Sequence, residues 1–384
     1  MKYRLLAPGP TPVPDRVLRA MSQTIIHHRT SQFETIFDQC QQGLSWLLAG
    51  STPPLILSCS GTGAFEASVQ NFFKANDTIL CITGGKFADN WLKMCRAFGL
   101  NAKEIPVTWG EPVALAQVEQ ALEDNPNAAG VVLVASETST GVRHPYEEIG
   151  QLVARQENCL FLVDAVTALG VWDIQPEKEH VDILVAGSQK GLMLPPGLGF
   201  VWVSEKAWQK NKTSNIPKFY FDLTKEKKAQ GSSQTSYTPA VSLIIGLCEA
   251  LAMMQEEGRT RIFERHDRLA SATRAAMQAL SLKLFAKTPS QAITSVMSPA
   301  ELKDDAIYNG LMNMANFTIA GGQDKLAGKI FRIGHMGYVD DIDLLSVFGC
   351  LEIVLKKMGY EQFAPGASIA AASPILSAGF CSAK

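Results

Sequence analysis

Six short apolar runs punctuate the first part of the chain, at residues 55–57, 79–82, 131–134, 160–163, 183–185 and 199–203. Their length suits strands, and strands with no polar alternation predict a sheet buried on both faces. Between most of these runs the apolar residues fall at helical spacing, as in Leu92, Cys95 and Phe98 or Ile149, Leu152 and Val153. Strands alternating with helices predict an α/β fold with a mostly parallel sheet covered by helices. A long amphipathic stretch at 242–280 leads to a second alternation, with strands at 292–297, 316–319 and 329–334 and helices at 306–314 and 341–358. The pattern divides the chain into an N-terminal arm (1–13), a large domain (14–260) and a small C-terminal α/β domain (261–363). Residues 364–384 carry one charge and are rich in Ala, Ser and Gly, so a loosely held, flexible tail is expected there.

Composition narrows the class of protein. A chain of 384 residues with 46% hydrophobic and 19% charged residues has material for more than one core, which agrees with two domains. The formal net charge of −2 and the lack of long like-charge blocks give no field that seeks a polyanion, so no nucleic-acid partner is expected. Eight scattered cysteines without a C-x-x-C spacing read as reduced thiols, and no metal site is expected. The first residues lack the apolar core of a signal peptide, and no stretch has the length to cross a bilayer. A cytoplasmic location without a membrane partner is the expectation.

Three places carry chemistry. Ser60-Gly61-Thr62-Gly63-Ala64 follows the first apolar run and opens a predicted helix at 65–73. Glycines let backbone amides approach a phosphate, the helix start adds a favourable dipole, and the Ser60 and Thr62 hydroxyls are donors. A purely structural turn is the alternative, and the absence of Gly-Lys-Ser/Thr argues against a Walker-type loop. Asp164 ends the run at 160–163, where a sheet presents its carboxyl edge, and small residues follow it, which leaves room for a flat ring. A carboxylate there is costly unless paired, and a protonated pyridine nitrogen would pair with it; an N-cap role is the alternative. Lys190, in Gly187-Ser188-Gln189-Lys190-Gly191, stands just past the next strand on the same edge. An apolar pocket would lower its pKa and free the amine to attack an aldehyde. Such a lysine with such a carboxylate is the minimum equipment for pyridoxal phosphate chemistry.

Four segments extend this picture: the Lys190 segment with Pro195-Pro196-Gly197 after it, Val163-Asp164-Ala165-Val166, Glu137-Thr138-Ser139-Thr140-Gly141-Val142, and Phe331-Arg332-Ile333-Gly334-His335-Met336-Gly337. Together they resemble the class V aminotransferases of fold type I. The resemblance lies within the alanine–glyoxylate and serine–glyoxylate (serine–pyruvate) branch, which includes cyanobacterial proteins labelled as a soluble hydrogenase small subunit. It runs from Ala7-Pro8-Gly9-Pro10-Thr11 to the helix ending near Met358.

What the resemblance implies is a pyridoxal 5'-phosphate cofactor joined to Lys190 as a Schiff base, with Asp164 on the pyridinium nitrogen. Ser60, Gly61, Thr62 and Gln189 would hold the phosphate, Phe87 would stack on the ring, and Thr138 and Val166 would line its edge and opposite face. Arg332 would clamp the substrate's α-carboxylate; as a strand residue pointing off the sheet it would do nothing of the kind. Tyr237 and Thr238 would reach the neighbouring subunit's phosphate, which implies a homodimer with its active sites at the interface. His27, His28 and Arg29 would be structural residues of that interface. The implied reaction moves an amino group from a small amino acid, alanine or serine, to a small 2-oxo acid such as glyoxylate or pyruvate. A cysteine desulfurase or lyase of the same fold is the rival, though residues 332–337 hold no cysteine of the kind a desulfurase needs. A non-catalytic hydrogenase-associated subunit is the other rival, but no cysteine spacing here suits nickel or an iron–sulfur cluster.

Overall fold

The computed structural model describes residues 2–302 and 305–380. Its central sheet has seven strands: β1 (Leu55–Leu57), β2 (Thr78–Ile82), β3 (Asn101–Ile105), β4 (Gly130–Val134), β5 (Leu160–Asp164), β6 (Ile183–Gly187) and β7 (Gly199–Val203). They lie in the order β1-β7-β6-β5-β4-β2-β3. Strands β2 to β6 pair in parallel, while β7 runs antiparallel to β6 and β1. All six apolar runs are therefore strands of one sheet.

The alternation of side chains along a strand explains why these runs are apolar throughout. Leu80, Val131, Leu133, Phe161, Val163 and Leu184 belong to the core on one face. Their neighbours Ile79, Cys81, Val132, Val134, Leu160, Leu162 and Ile183 belong to the core on the other. Strand β3 escapes this pattern because it is the sheet's edge, with Asn101, Lys103 and Glu104 exposed. Charged side chains on an edge strand discourage further strand pairing, and they also hide it from a search for apolar runs.

The stretch at 242–280 consists of two helices, Val241–Glu257 and Arg259–Ala279. They meet at Gly258, whose φ of 89° is a left-handed backbone that breaks the first helix. Beyond them β8 (Ile293–Met297), β9 (Ala320–Gly321) and β10 (Ile330–Gly334) form an antiparallel sheet in the order β8-β10-β9. The strand expected at 316–319 is short, Phe317–Thr318, and pairs in parallel with Arg4–Leu5 of the N-terminal arm instead of joining that sheet.

The loosely held tail is corrected by the structure. Within it lies a helix, Ala367–Phe380, packed lengthwise on Arg259–Ala279. Ala372 and Leu376 are fully buried with Leu269 and Ala276. Glu352 accepts hydrogen bonds from the Gly366 and Ser368 amides and from Ser368 Oγ, which ties the start of the helix down. Small residues are a weak hydrophobic signal, yet alanine has the highest helix propensity and lets two helices approach closely. Residues 381–384, with Cys381, lie outside the described residues. Among the described residues no helix is long and apolar enough to cross a membrane, and no group of three or more His, Cys, Asp or Glu is placed to hold a metal ion.

Candidate active site

The parallel strands deliver their carboxyl ends to one edge, and the loops that follow them enclose a cavity of about 240 Å³. Asp164 is the last residue of β5, and Lys190 follows the end of β6. Ser60 caps the helix Gly61–Phe72 after β1, Phe87 stands in the first turn of the helix Lys86–Ala97 after β2, and Thr138 lies in the loop after β4. With Val166 and Gln189, all nine of these predicted residues, Ser60, Gly61, Thr62, Phe87, Thr138, Asp164, Val166, Gln189 and Lys190, line the same cavity.

Lys190 is buried, and its Nζ donates to the carbonyl oxygen of Pro8 in the N-terminal arm. Burial and the nearby Arg332 lower its pKa to about 8, against the pull of Asp164. Gly9 packs on the same side chain with a φ of 121°, and a Cβ at this position would overlap Lys190. Only glycine fits there. Asp164 Oδ1 accepts from the Val166 amide at 2.9 Å and Oδ2 from Trp91 Nε1 at 3.4 Å. Burial pushes its pKa up to about 7; Glu137 adds to the rise, while the Val166 amide, Trp91 and Lys190 oppose it. Both groups are thus shifted toward their neutral forms in one enclosure.

At the phosphate end Ser60 Oγ accepts from the Gly63 amide at 3.4 Å, and the Gly61 and Thr62 amides come before the first intrahelical bond. That leaves donors and the positive end of the helix dipole for an anion. Gln189 Oε1 is buried without a hydrogen-bond partner among the described residues.

Arg332 comes from β10, so a different sheet supplies it. Its Nε and Nη2 donate to the Gly321 carbonyl at 3.0 and 2.7 Å, and its Nη1 donates to the Thr138 carbonyl at 2.8 Å. It is buried, so it is not a surface residue pointing off the sheet, and it reaches the site through Thr138 while not itself lining the cavity. Burial lowers its pKa to about 10, with Glu137 opposing, so it stays charged at neutral pH. Three of its five N–H hydrogens are used, which leaves two without a bond among the described residues.

Tyr237 and Thr238 are not brought to this cavity. They line a separate cleft with Ile56, Ser58 and Tyr220, where the Tyr237 hydroxyl donates to the Phe219 carbonyl at 3.1 Å and its ring stacks on Tyr220. His27 and His28 stack on each other, and Arg29 Nη1 donates to Gln234 Oε1 at 2.8 Å; none of the three lines the cavity. His335 is fully buried beside Thr294 Oγ1, and burial lowers its pKa to about 3.

Two contributors escaped the sequence reading. Glu137 is fully buried and accepts from Ser139 Oγ at 2.6 Å, from the Ser139 and Ala88 amides at 3.0 Å each, and from the Phe87 amide at 3.4 Å. It therefore secures the start of the helix that carries both Phe87 and Trp91. Its signal was present, since it is the one charged residue between positions 128 and 142. Trp91 had none: nothing near it in the chain announces that its indole meets Asp164.

An amine and a carboxylate of this kind, at the carboxyl edge of such a sheet, place the molecule in a class: it is a fold type I aminotransferase. An alanine–glyoxylate aminotransferase from Nostoc sp. superposes with a TM-score of 0.88 at 30% identity, covering 92% of this chain and 96% of that one. Residues 4–306 match the family model of the class V aminotransferases, and the chain belongs to that family. It is 43% identical over 380 residues to the soluble hydrogenase 42 kDa subunit of Anabaena cylindrica, covering 98% of this chain and 99% of that protein. It is 33% identical over 387 residues to the serine–glyoxylate aminotransferase of Methylorubrum extorquens, covering 98% and 96%. Class V aminotransferases depend on pyridoxal phosphate. The buried amine, the carboxylate without a cation bonded to it and the free helix-start amides fit that group.

Proposed function

We propose that this protein is a pyridoxal 5'-phosphate-dependent transaminase that moves an amino group from alanine or serine to a small 2-oxo acid such as glyoxylate or pyruvate. The observation that carries the reading is the enclosure of Lys190 and Asp164 in one cavity, both shifted toward neutrality. Lys190 would hold the aldehyde carbon as a Schiff base and Asp164 the ring nitrogen. Ser60, Gly61, Thr62 and Gln189 would hold the phosphate, with Phe87 and Val166 on the ring faces and Thr138 at its edge. When bound, the cofactor supplies a ring that accepts electrons from the substrate's α-carbon.

Lys190 supplies the base. Its lowered pKa leaves far more free amine at neutral pH than an exposed lysine has, so Nζ can take the α-proton and give it back. Arg332, fixed by the Gly321 and Thr138 carbonyls, offers its two remaining N–H hydrogens to the α-carboxylate. Pro8 and Gly9 wall the amine off from water. The small donor and acceptor are supported by the relatives named for serine, alanine and glyoxylate. A cytoplasmic homodimer, with Tyr237 and Thr238 serving the partner's phosphate, completes the reading.

Desulfurase chemistry is disfavoured because no cysteine among the described residues lines the cavity, and burial pushes the thiol of neighbouring Cys59 up to about 12, where it is a poor nucleophile. A non-catalytic subunit would have no use for a lysine and a carboxylate both shifted toward their neutral forms in one cavity.

Borohydride reduction of the cofactor-loaded protein, followed by peptide mapping, should label Lys190. Lys190→Ala should lose the visible absorption of the bound cofactor and reduce transamination by about 1,000-fold or more. A label on another lysine, or activity unchanged in the variant, overturns the proposal. A panel of alanine and serine against glyoxylate and pyruvate identifies the pair.

A further inference from the structure

His266, on the helix Arg259–Ala279, is fully buried, and the chemistry proposed above makes no use of it. Its Nδ1 lies 2.7 Å from the Ile262 carbonyl, which can only accept, and its Nε2 accepts from the Gly337 amide at 3.0 Å. Those two partners together demand a neutral ring with its one proton on Nδ1. Burial, with Arg265 adding to it, holds the pKa well below the ordinary value, which agrees with that form.

The adjacent Arg265 takes the other side of the same glycine. Its Nη1 donates to the Gly337 carbonyl at 2.9 Å and to the Val339 carbonyl at 3.3 Å, while its Nε and Nη2 donate to Glu257 at 2.6 and 3.1 Å. One helix therefore grips both the N–H and the C=O of Gly337. That glycine has a φ of 72°, and a Cβ on it would lie 2.9 Å from the Lys190 carbonyl oxygen and 3.1 Å from Thr11 Oγ1. Thr11 Oγ1 and the Met193 amide donate to the same carbonyl at 2.9 and 3.1 Å. The turn at Gly337 is thus packed on the main chain of Lys190, and any shift of the turn presses on that lysine. Arg332 is fixed by its own bonds to the Gly321 and Thr138 carbonyls. We propose that His266 is a positioning residue for transamination, whose bond to the Gly337 amide holds that turn against Lys190 and so sets where Nζ can reach. The inference rests on the function proposed above.

Misplacing a reacting group costs rate, whereas the separately anchored arginine should keep its hold on the carboxylate. Glutamine at position 266 brings its amide oxygen to the place of Nε2, within reach of the Gly337 amide, and gives up the Ile262 bond. Asparagine is a methylene shorter, so it keeps the Ile262 bond and cannot reach Gly337. His266→Gln and His266→Asn are purified with pyridoxal phosphate and compared with wild type, with kcat counted per bound cofactor and thermal unfolding recorded alongside. His266→Gln should keep kcat within about threefold of wild type. His266→Asn should lose about tenfold or more in kcat while its amino-acid KM stays within about twofold. Should His266→Asn fail to fold, the kcat of His266→Gln decides alone: a value near wild type supports the proposal, and a loss of about tenfold overturns it. Equal kcat in the two variants, or a loss confined to His266→Gln, overturns it as well. So does a His266→Gln protein that does not fold, because the bond to Gly337 is then not what matters at this position. If the wild-type protein itself transaminates no amino acid, the proposed function falls, which is a separate outcome.

Discussion

In the proposed chemistry Asp164 would serve catalysis at the expense of the empty fold. Its pKa of about 7 in the folded protein lies above its ordinary 3.8, so the folded state keeps a proton that the unfolded chain releases. The stability linked to that proton is complete below about pH 4 and is lost as pH rises through 7. Asp164→Asn apoprotein should therefore melt above wild type at pH 8, and the difference should vanish near pH 4 in paired calorimetric scans. The same variant should lose transamination by about 100-fold or more, because an amide cannot hold a pyridinium proton by charge. Arg332 poses a different demand. Its three bonds to the Gly321 and Thr138 carbonyls need the guanidinium fork, which a lysine cannot reproduce. Arg332→Lys should raise the amino-acid KM about tenfold or more and leave the Kd for pyridoxal phosphate nearly unchanged; steady-state kinetics with cofactor titration decides it. Lys190 and Asp164 were legible in the chain because each sits at a strand end among small residues. Trp91 and Pro8 were not, since what matters about them is a partner far away in sequence.

The same contrast governs helices and strands. The helix Lys86–Ala97 was legible as an amphipathic pattern, but its use as a platform was not. Phe87 and Trp91 are four residues apart and so share a face, which puts the ring-stacking candidate and the donor to Asp164 on one rigid body. The helix Ala367–Phe380 is the converse case, where composition suggested looseness and packing produced order. Leu376→Ala should destabilise the protein by about 2–5 kcal/mol, since the side chain is wholly buried among helices. Urea unfolding would show no change if that segment were loose. Edge strand β3 was hidden for a physical reason too: a strand with one open side has no need to be apolar.

The site exists only where distant parts of the molecule meet. The N-terminal arm pairs with Phe317–Thr318, accepts from the Gly334 amide at Leu6, and then crosses to Lys190 through Pro8 and Thr11. Arg332 makes the return crossing from β10 to the Thr138 loop. Arm and sheets thus hold lysine, arginine and cavity in register. On the outside, Phe219 and Tyr220 are exposed and cluster with Tyr237, the aromatic residue expected to reach the partner's phosphate. An exposed aromatic group of this kind is suited to an interface. In the proposed homodimer, sedimentation should give twice the chain mass. Phe219→Asp should shift the species toward monomer and weaken cofactor binding several-fold, and a variant that stays dimeric would count against this patch as the interface.

Apolar runs, a glycine turn and the placement of Asp164 and Lys190 already carried the α/β class and the core of the site. These are local signals: a strand's burial and a loop's room for a ring depend on residues a few positions away. The neutralising burial of both groups, the anchoring of the platform helix by Glu137, the arm over Lys190 and the ordered C-terminal helix required the folded chain. Each depends on which surfaces come together once the chain has closed on itself, and no window of neighbouring residues encodes that meeting.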